Sequence, residues 1–120
     1  MKNGYMQEHW SDQNGNPAGG VSSGCGFTVS WQNGPLGRHA AGCHGDSRGC
    51  REGCTRRPPN GAFVEDVLDA VIERIGFYQR SQFWCQENED ALGLLLRAAA
   101  LLDNRTKDRE ARQVEGTHSV

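Results

Sequence analysis

Ala91-Leu92-Gly93-Leu94-Leu95-Leu96-Arg97-Ala98-Ala99-Ala100-Leu101-Leu102 is the stretch on which the fold turns, because Arg97 is its only polar interruption. A helix that packs on one neighbour shows a single apolar stripe, whereas one that is apolar nearly all round is buried on more than one side. The run therefore predicts a helix from about Phe83 or Glu87 to about Lys107, opening on Glu87, Glu89 and Asp90 and closing on Arg105 and Lys107. That charge order suits the helix dipole. One of its stripes is expected to lie on a neighbouring helix and another on a sister subunit. A helix wedged between hairpin partner and sheet within one monomer is the alternative.

The neighbour is read just upstream. Phe63, Val64, Val67, Leu68, Val71, Ile72 and Ile75 recur at three- and four-residue steps, while Glu65, Asp66, Asp69, Glu73 and Arg74 fill the other face. This is an amphipathic helix over about Ala62 to Tyr78, with Asn60 as its expected cap. A break at Arg80-Ser81-Gln82 makes the two helices an antiparallel hairpin.

Further towards the amino terminus the regime changes, since thirteen of the 16 glycines fall at or before Gly61. Gly26-Phe27-Thr28-Val29-Ser30-Trp31-Gln32 alternates large apolar with small polar side chains, the period of a strand with one buried face. Tyr5 to Trp10 is expected to be its partner strand, and Asn14-Gly15, Gly19-Gly20 and Asn33-Gly34-Pro35 read as turns. The fold class that results is α+β: a small antiparallel sheet over 1–37, a Cys/Gly-rich loop over 38–58, and an oligomerising helical hairpin with a basic carboxyl segment over 59–120. At 120 residues this is expected to be one domain.

Composition narrows the function. A net charge of −2, from 13 basic and 15 acidic residues, gives no bulk attraction for a nucleic-acid backbone, so a nucleic-acid partner is not expected. No apolar run is long enough to span a membrane, and Met1-Lys2-Asn3-Gly4-Tyr5 lacks the apolar core of an export signal, so a soluble cytosolic protein is expected. The five cysteines are an odd number, which argues for free thiols or a metal over a disulfide framework. Cys43, His44, Cys50 and Cys54 offer four soft ligands for structural zinc, with Cys25 or His39 as substitutes; unliganded thiols are the competing reading, and no cofactor is required. No nucleophile elbow, zinc-protease helix, P-loop or dinucleotide fingerprint occurs, so binding without turnover is expected. Phe83-Trp84-Cys85 puts two aromatics at the bend, a pattern that stacks on bases or plugs a core. Arg105, Lys107, Arg109 and Arg112 form either an anion site between copies or a solvated helix end.

Several strings together resemble the phage Thoeris anti-defence sponge family. These are Pro59-Asn60-Gly61-Ala62-Phe63-Val64-Glu65-Asp66-Val67, Phe77-Tyr78-Gln79, Phe83-x-Cys85-x-Glu87-Asn88, and Arg105-Thr106-x-x-Arg109-x-x-Arg112-x-Val114-Glu115-Gly116-Thr117, with His9-Trp10 and Trp31-Gln32-Asn33-Gly34-Pro35-Leu36-Gly37 upstream. The resemblance implies a non-enzymatic protein, working in the cytoplasm of the infected bacterial host, that sequesters cyclic ADP-ribose isomers. It also implies a link to sponges of the cyclic oligonucleotides of CBASS immunity. Subunits of that family pair and assemble to hexamers, with ligand pockets between them. Carried over, Arg74 is the first-helix arginine, Phe83 the stacking ring and Asn88 an amide hydrogen-bonder. Arg109 and Arg112 engage phosphates, and Glu115 and Thr117 bond ribose hydroxyls or base edges. The chain departs from the family at Gln113, where glycine is frequent, and over Cys43 to Cys54, which reads as an insertion. A zinc-stabilised oligomeric adaptor or structural phage protein is the alternative function.

Overall fold

A computed structural model of the chain describes residues 5–34 and 59–111. The order is β1 (Met6–Ser11), β2 (Pro17–Gly24), β3 (Phe27–Trp31), α1 (Val64–Gln79) and α2 (Gln86–Ala111). The expected α+β arrangement, a small antiparallel sheet followed by two helices, is what is found. The described residues fall into two compact units, one holding the sheet with residues 59–63 and 109–111, the other running from Val64 to Asp108.

In the sheet, β2 lies between β1 and β3 and is antiparallel to both. Sequence reading paired the two flanking strands with each other and took Gly19-Gly20 for a turn; both residues are instead buried inside the middle strand. The reason is steric. A Cβ on Gly20 would sit 2.2 Å from the carbonyl oxygen of Glu8, so the close approach of β1 excludes every residue with a side chain. Glycine weakens an isolated strand, and here two flanking ladders offset that weakness. Asn14-Gly15 does form the β1–β2 turn, with Gly15 at φ 82° and Asp12 Oδ1 accepting from the Asn14 and Asn16 amides at 2.9 and 3.0 Å.

One face of the sheet is stitched by side chains from all three strands. Trp31 Nε1 donates to Ser22 Oγ at 2.8 Å, Ser22 Oγ donates to Gln7 Oε1, and Gln7 Nε2 donates to the Tyr5 hydroxyl. Ser22 is 5% exposed, so the relay satisfies a hydroxyl that burial would otherwise penalise. The Tyr5 and Phe27 rings meet beside it, 6.1 Å between centroids.

Residues 59–62 run along the outer edge of β3. Ala62 N donates to Ser30 O at 2.8 Å and Gln32 N donates to Ala62 O at 2.9 Å, a parallel bridge. Asn60, expected to cap the helix, acts here instead: its Oδ1 accepts from Asn33 N at 2.8 Å and its Nδ2 donates to Asn33 O at 3.1 Å. The side-chain amide thus substitutes for one peptide of a fourth strand. Gly61 is required by the same approach, since a Cβ there would stand 2.6 Å from the carbonyl carbon and oxygen of Trp31.

The helices follow the apolar periods closely, starting at Val64 in place of Ala62 and ending at Ala111 in place of Lys107. Glu65 and Asp66 sit in the first turn of α1, and Glu87 and Glu89 in that of α2, where the dipole favours them. On α2 a half-buried stripe runs through Ala91, Leu92, Leu95, Ala98, Ala99 and Leu102. At about 100° per residue, Leu94 and Leu101 flank it on one side and Leu96 on the other. These leucines are 69%, 63% and 52% exposed. Among the described residues no side chain of either helix is buried, so the pair encloses no core of its own.

A single residue secures the bend between them. Gln79 Nε2 donates to Cys85 O and to Glu89 Oε1, both at 3.0 Å, and its Oε1 accepts from Cys85 N at 3.3 Å. Cys85 caps α2, its Sγ accepting from Asn88 N at 3.4 Å. The thiol thus has a capping task.

Two stability predictions follow from these contacts. In chemical denaturation, Gly61→Ala should cost more than about 2 kcal/mol, because the clash is with backbone that cannot swing away; Gly15→Ala, with open space around it but a positive φ, should cost about 1 kcal/mol. Gln79→Ala should remove about 1–2 kcal/mol by leaving the bend amides to water, read as a lower helix melting temperature by circular dichroism.

Candidate functional site

The last turns of α1 gather the described part of the site. Arg74, Phe77 and Tyr78 stand at i, i+3 and i+4, so they share one helix face. The Arg74 guanidinium carbon lies 5.1 Å from the Phe77 ring centroid and 5.0 Å from that of Tyr78. The two rings are tilted 54° to one another, 6.1 Å apart, and Arg74 Nε donates to the Tyr78 hydroxyl at 3.1 Å. Each cation–π contact at so exposed a site is worth about 0.5–1 kcal/mol. That is enough to favour one arginine conformation without freezing it.

Beyond Tyr78 the helix closes through Ser81, whose amide and hydroxyl both donate to Tyr78 O and whose Oγ accepts from Phe83 N at 3.1 Å. Backbone and Gln79 hold the bend, so its large side chains are not needed to plug it. Phe83 is 71% exposed and Trp84 half exposed. A bare ring in the bend, together with an arginine on the helix before it, offers the two chemistries that a ligand with a base to stack and phosphates to pair would use.

The residues expected from sequence divide by position. Arg74, Phe83 and Asn88 lie at or near the bend, and Asn88 is half-buried one turn into α2. Among the described residues, Arg74 is joined to Phe77 and Tyr78 and to neither Phe83 nor Asn88. Arg109 lies on the last turn of α2. It stands 21 residues from Asn88 on one unbroken helix, about 32 Å along the axis at about 1.5 Å per residue. A compact cyclic nucleotide cannot span that length, so one chain does not bring the two ends to a common small ligand.

Lys107 is paired with Asp103 at 3.0 Å, which makes that cation part of a solvated helix end. Arg112, Glu115, Thr117 and the proposed zinc ligands Cys43, His44, Cys50 and Cys54 lie outside the described residues, as does His39. Among the described residues no three His, Cys, Asp or Glu side chains cluster to hold a metal, and Cys25 is free and exposed. No described helix is long and apolar enough to cross a membrane. Tyr78 and Gln79 were given no role from sequence; the i, i+4 spacing of Arg74 and Tyr78 was the available signal for the first, while the reach of Gln79 across the bend had none.

No protein-family model matches the chain. It is 37% identical over 91 residues, 76% of its length, to Thoeris anti-defense 1 of Bacillus phage SBSphiJ7. The chain spans about half the length of that relative, 51%. This likeness supports the resemblance to the Thoeris anti-defence family.

Proposed function

We propose that this chain is a phage anti-defence protein that binds and sequesters cyclic nucleotide immune signals without cleaving them, cyclic ADP-ribose isomers first and the cyclic di- and trinucleotides of CBASS as a second class. It works in the cytoplasm of the infected host. The single observation that carries the reading is an arginine seated on two rings in the last turns of α1, followed in the bend by a third ring, Phe83, left 71% exposed. Guanidinium forks pair with a pyrophosphate and an exposed ring stacks on a base, so the two chemistries of the ligand have matching partners.

Assembly is part of the same proposal. Asn88 and Arg109 sit at opposite ends of α2, and Leu94, Leu96 and Leu101 expose apolar flanks between them. A second α2 packed antiparallel on those flanks covers leucine and carries its own Arg109 end to the first copy's Asn88 end. Pockets then form between copies, with Arg112, Glu115 and Thr117 of the carboxyl segment as further contacts. Dimers that associate to hexamers are the expected assembly.

Purified protein incubated with a panel of cyclic ADP-ribose isomers and cyclic oligonucleotides should retain a ligand through gel filtration and release it chemically intact on heating; a cleaved product would mean an enzyme. Light scattering should give a mass that is a multiple of 13.2 kDa. Leu94→Glu with Leu101→Glu should lower both that mass and the affinity, by tenfold or more, since a like-charged carboxylate pair replaces buried apolar surface. A lone 13.2 kDa particle that ignores the whole panel sinks the reading.

A further inference from the structure

Tyr78 does something the sequestration reading does not by itself require. Its hydroxyl accepts from Arg74 Nε at 3.1 Å while its ring and that of Phe77 lie under the guanidinium. An arginine can grip an oxyanion side-on, through Nε and one terminal nitrogen, or end-on, through both terminal nitrogens. Here the Nε proton is already engaged by the Tyr78 hydroxyl, so the side-on mode costs that hydrogen bond and the end-on mode does not. Among the described residues, neither terminal nitrogen of Arg74 has a hydrogen-bond partner.

We propose that Tyr78 is a positioning residue that presents Arg74 as an end-on fork for a phosphate-bearing ligand. The inference rests on the sequestration reading and adds to it the mode of approach: the anion meets the tip of the guanidinium, in its plane, and the base is left to stack elsewhere. Restraining a flexible stem before the ligand arrives reduces the ordering cost of binding. A tyrosine suits the task because it supplies both a π face and an acceptor. Phenylalanine at the same place keeps only the first.

The test is a double-mutant cycle on the full chain, with Tyr78→Phe, Arg74→Lys and the pair, measured by calorimetry against a cyclic ADP-ribose isomer and against inorganic pyrophosphate. Tyr78→Phe should weaken binding about three- to tenfold, the worth of one hydrogen bond to a charged donor, with the melting temperature unchanged. In the Arg74→Lys background it should have no further effect, because lysine has no Nε fork to orient. In nitrogen-edited NMR of the unliganded protein, the Arg74 Nε–H signal, assigned by its loss in Arg74→Lys, should exchange faster with water in Tyr78→Phe. A structural role alone would give the same loss in both backgrounds and leave that signal unmoved. If the wild type binds either probe but the two substitutions act independently, or Tyr78→Phe binds as the wild type does, the positioning role is overturned and sequestration stands. If the wild type binds neither probe, both fall.

Discussion

The surplus of apolar surface on α2 is the constraint from which the rest of the molecule takes its character. Its half-buried stripe through Leu92, Leu95 and Leu102 is flanked by Leu94, Leu96 and Leu101, each more than half exposed. Burying a leucine fully is worth about 1.5–3 kcal/mol, and these three are 69%, 63% and 52% exposed, so completing their burial is worth roughly 3–5 kcal/mol per chain as an upper figure. Association costs about 4–15 kcal/mol in lost translation and rotation. Two chains contributing both sets of leucines reach the middle of that range, and one set alone only its lower edge. A self-complementary contact, in which each copy buries the other's flanks, is the arrangement that makes the arithmetic favourable.

What was legible in the sequence follows from which interactions are local. Both helices were readable because their apolar residues repeat at the helical period and their acidic first turns sit where the dipole favours them. The strand β3 was readable for the same reason at period two. The middle strand was not, because Pro17-Ala18-Gly19-Gly20-Val21-Ser22-Ser23-Gly24 carries no strand-forming alternation and owes its conformation to the ladders on both sides. Asn60 shows the same limit, since three residues of helix-cap logic gave way to a partner 27 residues distant at Asn33.

The site divides along the same line. Phe83 and Trp84 were visible as a pair of aromatics in a break, but only the structure shows that Gln79 holds the break together and so leaves them bare. Arg74 and Asn88 entered through resemblance, and Arg109 read from sequence as either part of an anion site or a solvated helix end, because an arginine on an exposed helix face has no signature that separates ligand contact from solvation. Its seat on Phe77 and Tyr78 is what distinguishes Arg74 from Arg80 six residues on.

The length of α2 then joins assembly to binding. Under the proposed function, a small ligand that used both Asn88 and Arg109, 21 residues apart on α2, would have to touch two copies and would stabilise their association. The gain grows as the logarithm of ligand concentration over its dissociation constant. On the proposed function, free signal would then drive completion of its own trap. A monomeric binder, with both ends of the site on one folded surface, would show no such coupling. Under that proposal the coupling follows from the length of α2 and its apolar flanks and requires no conformational switch.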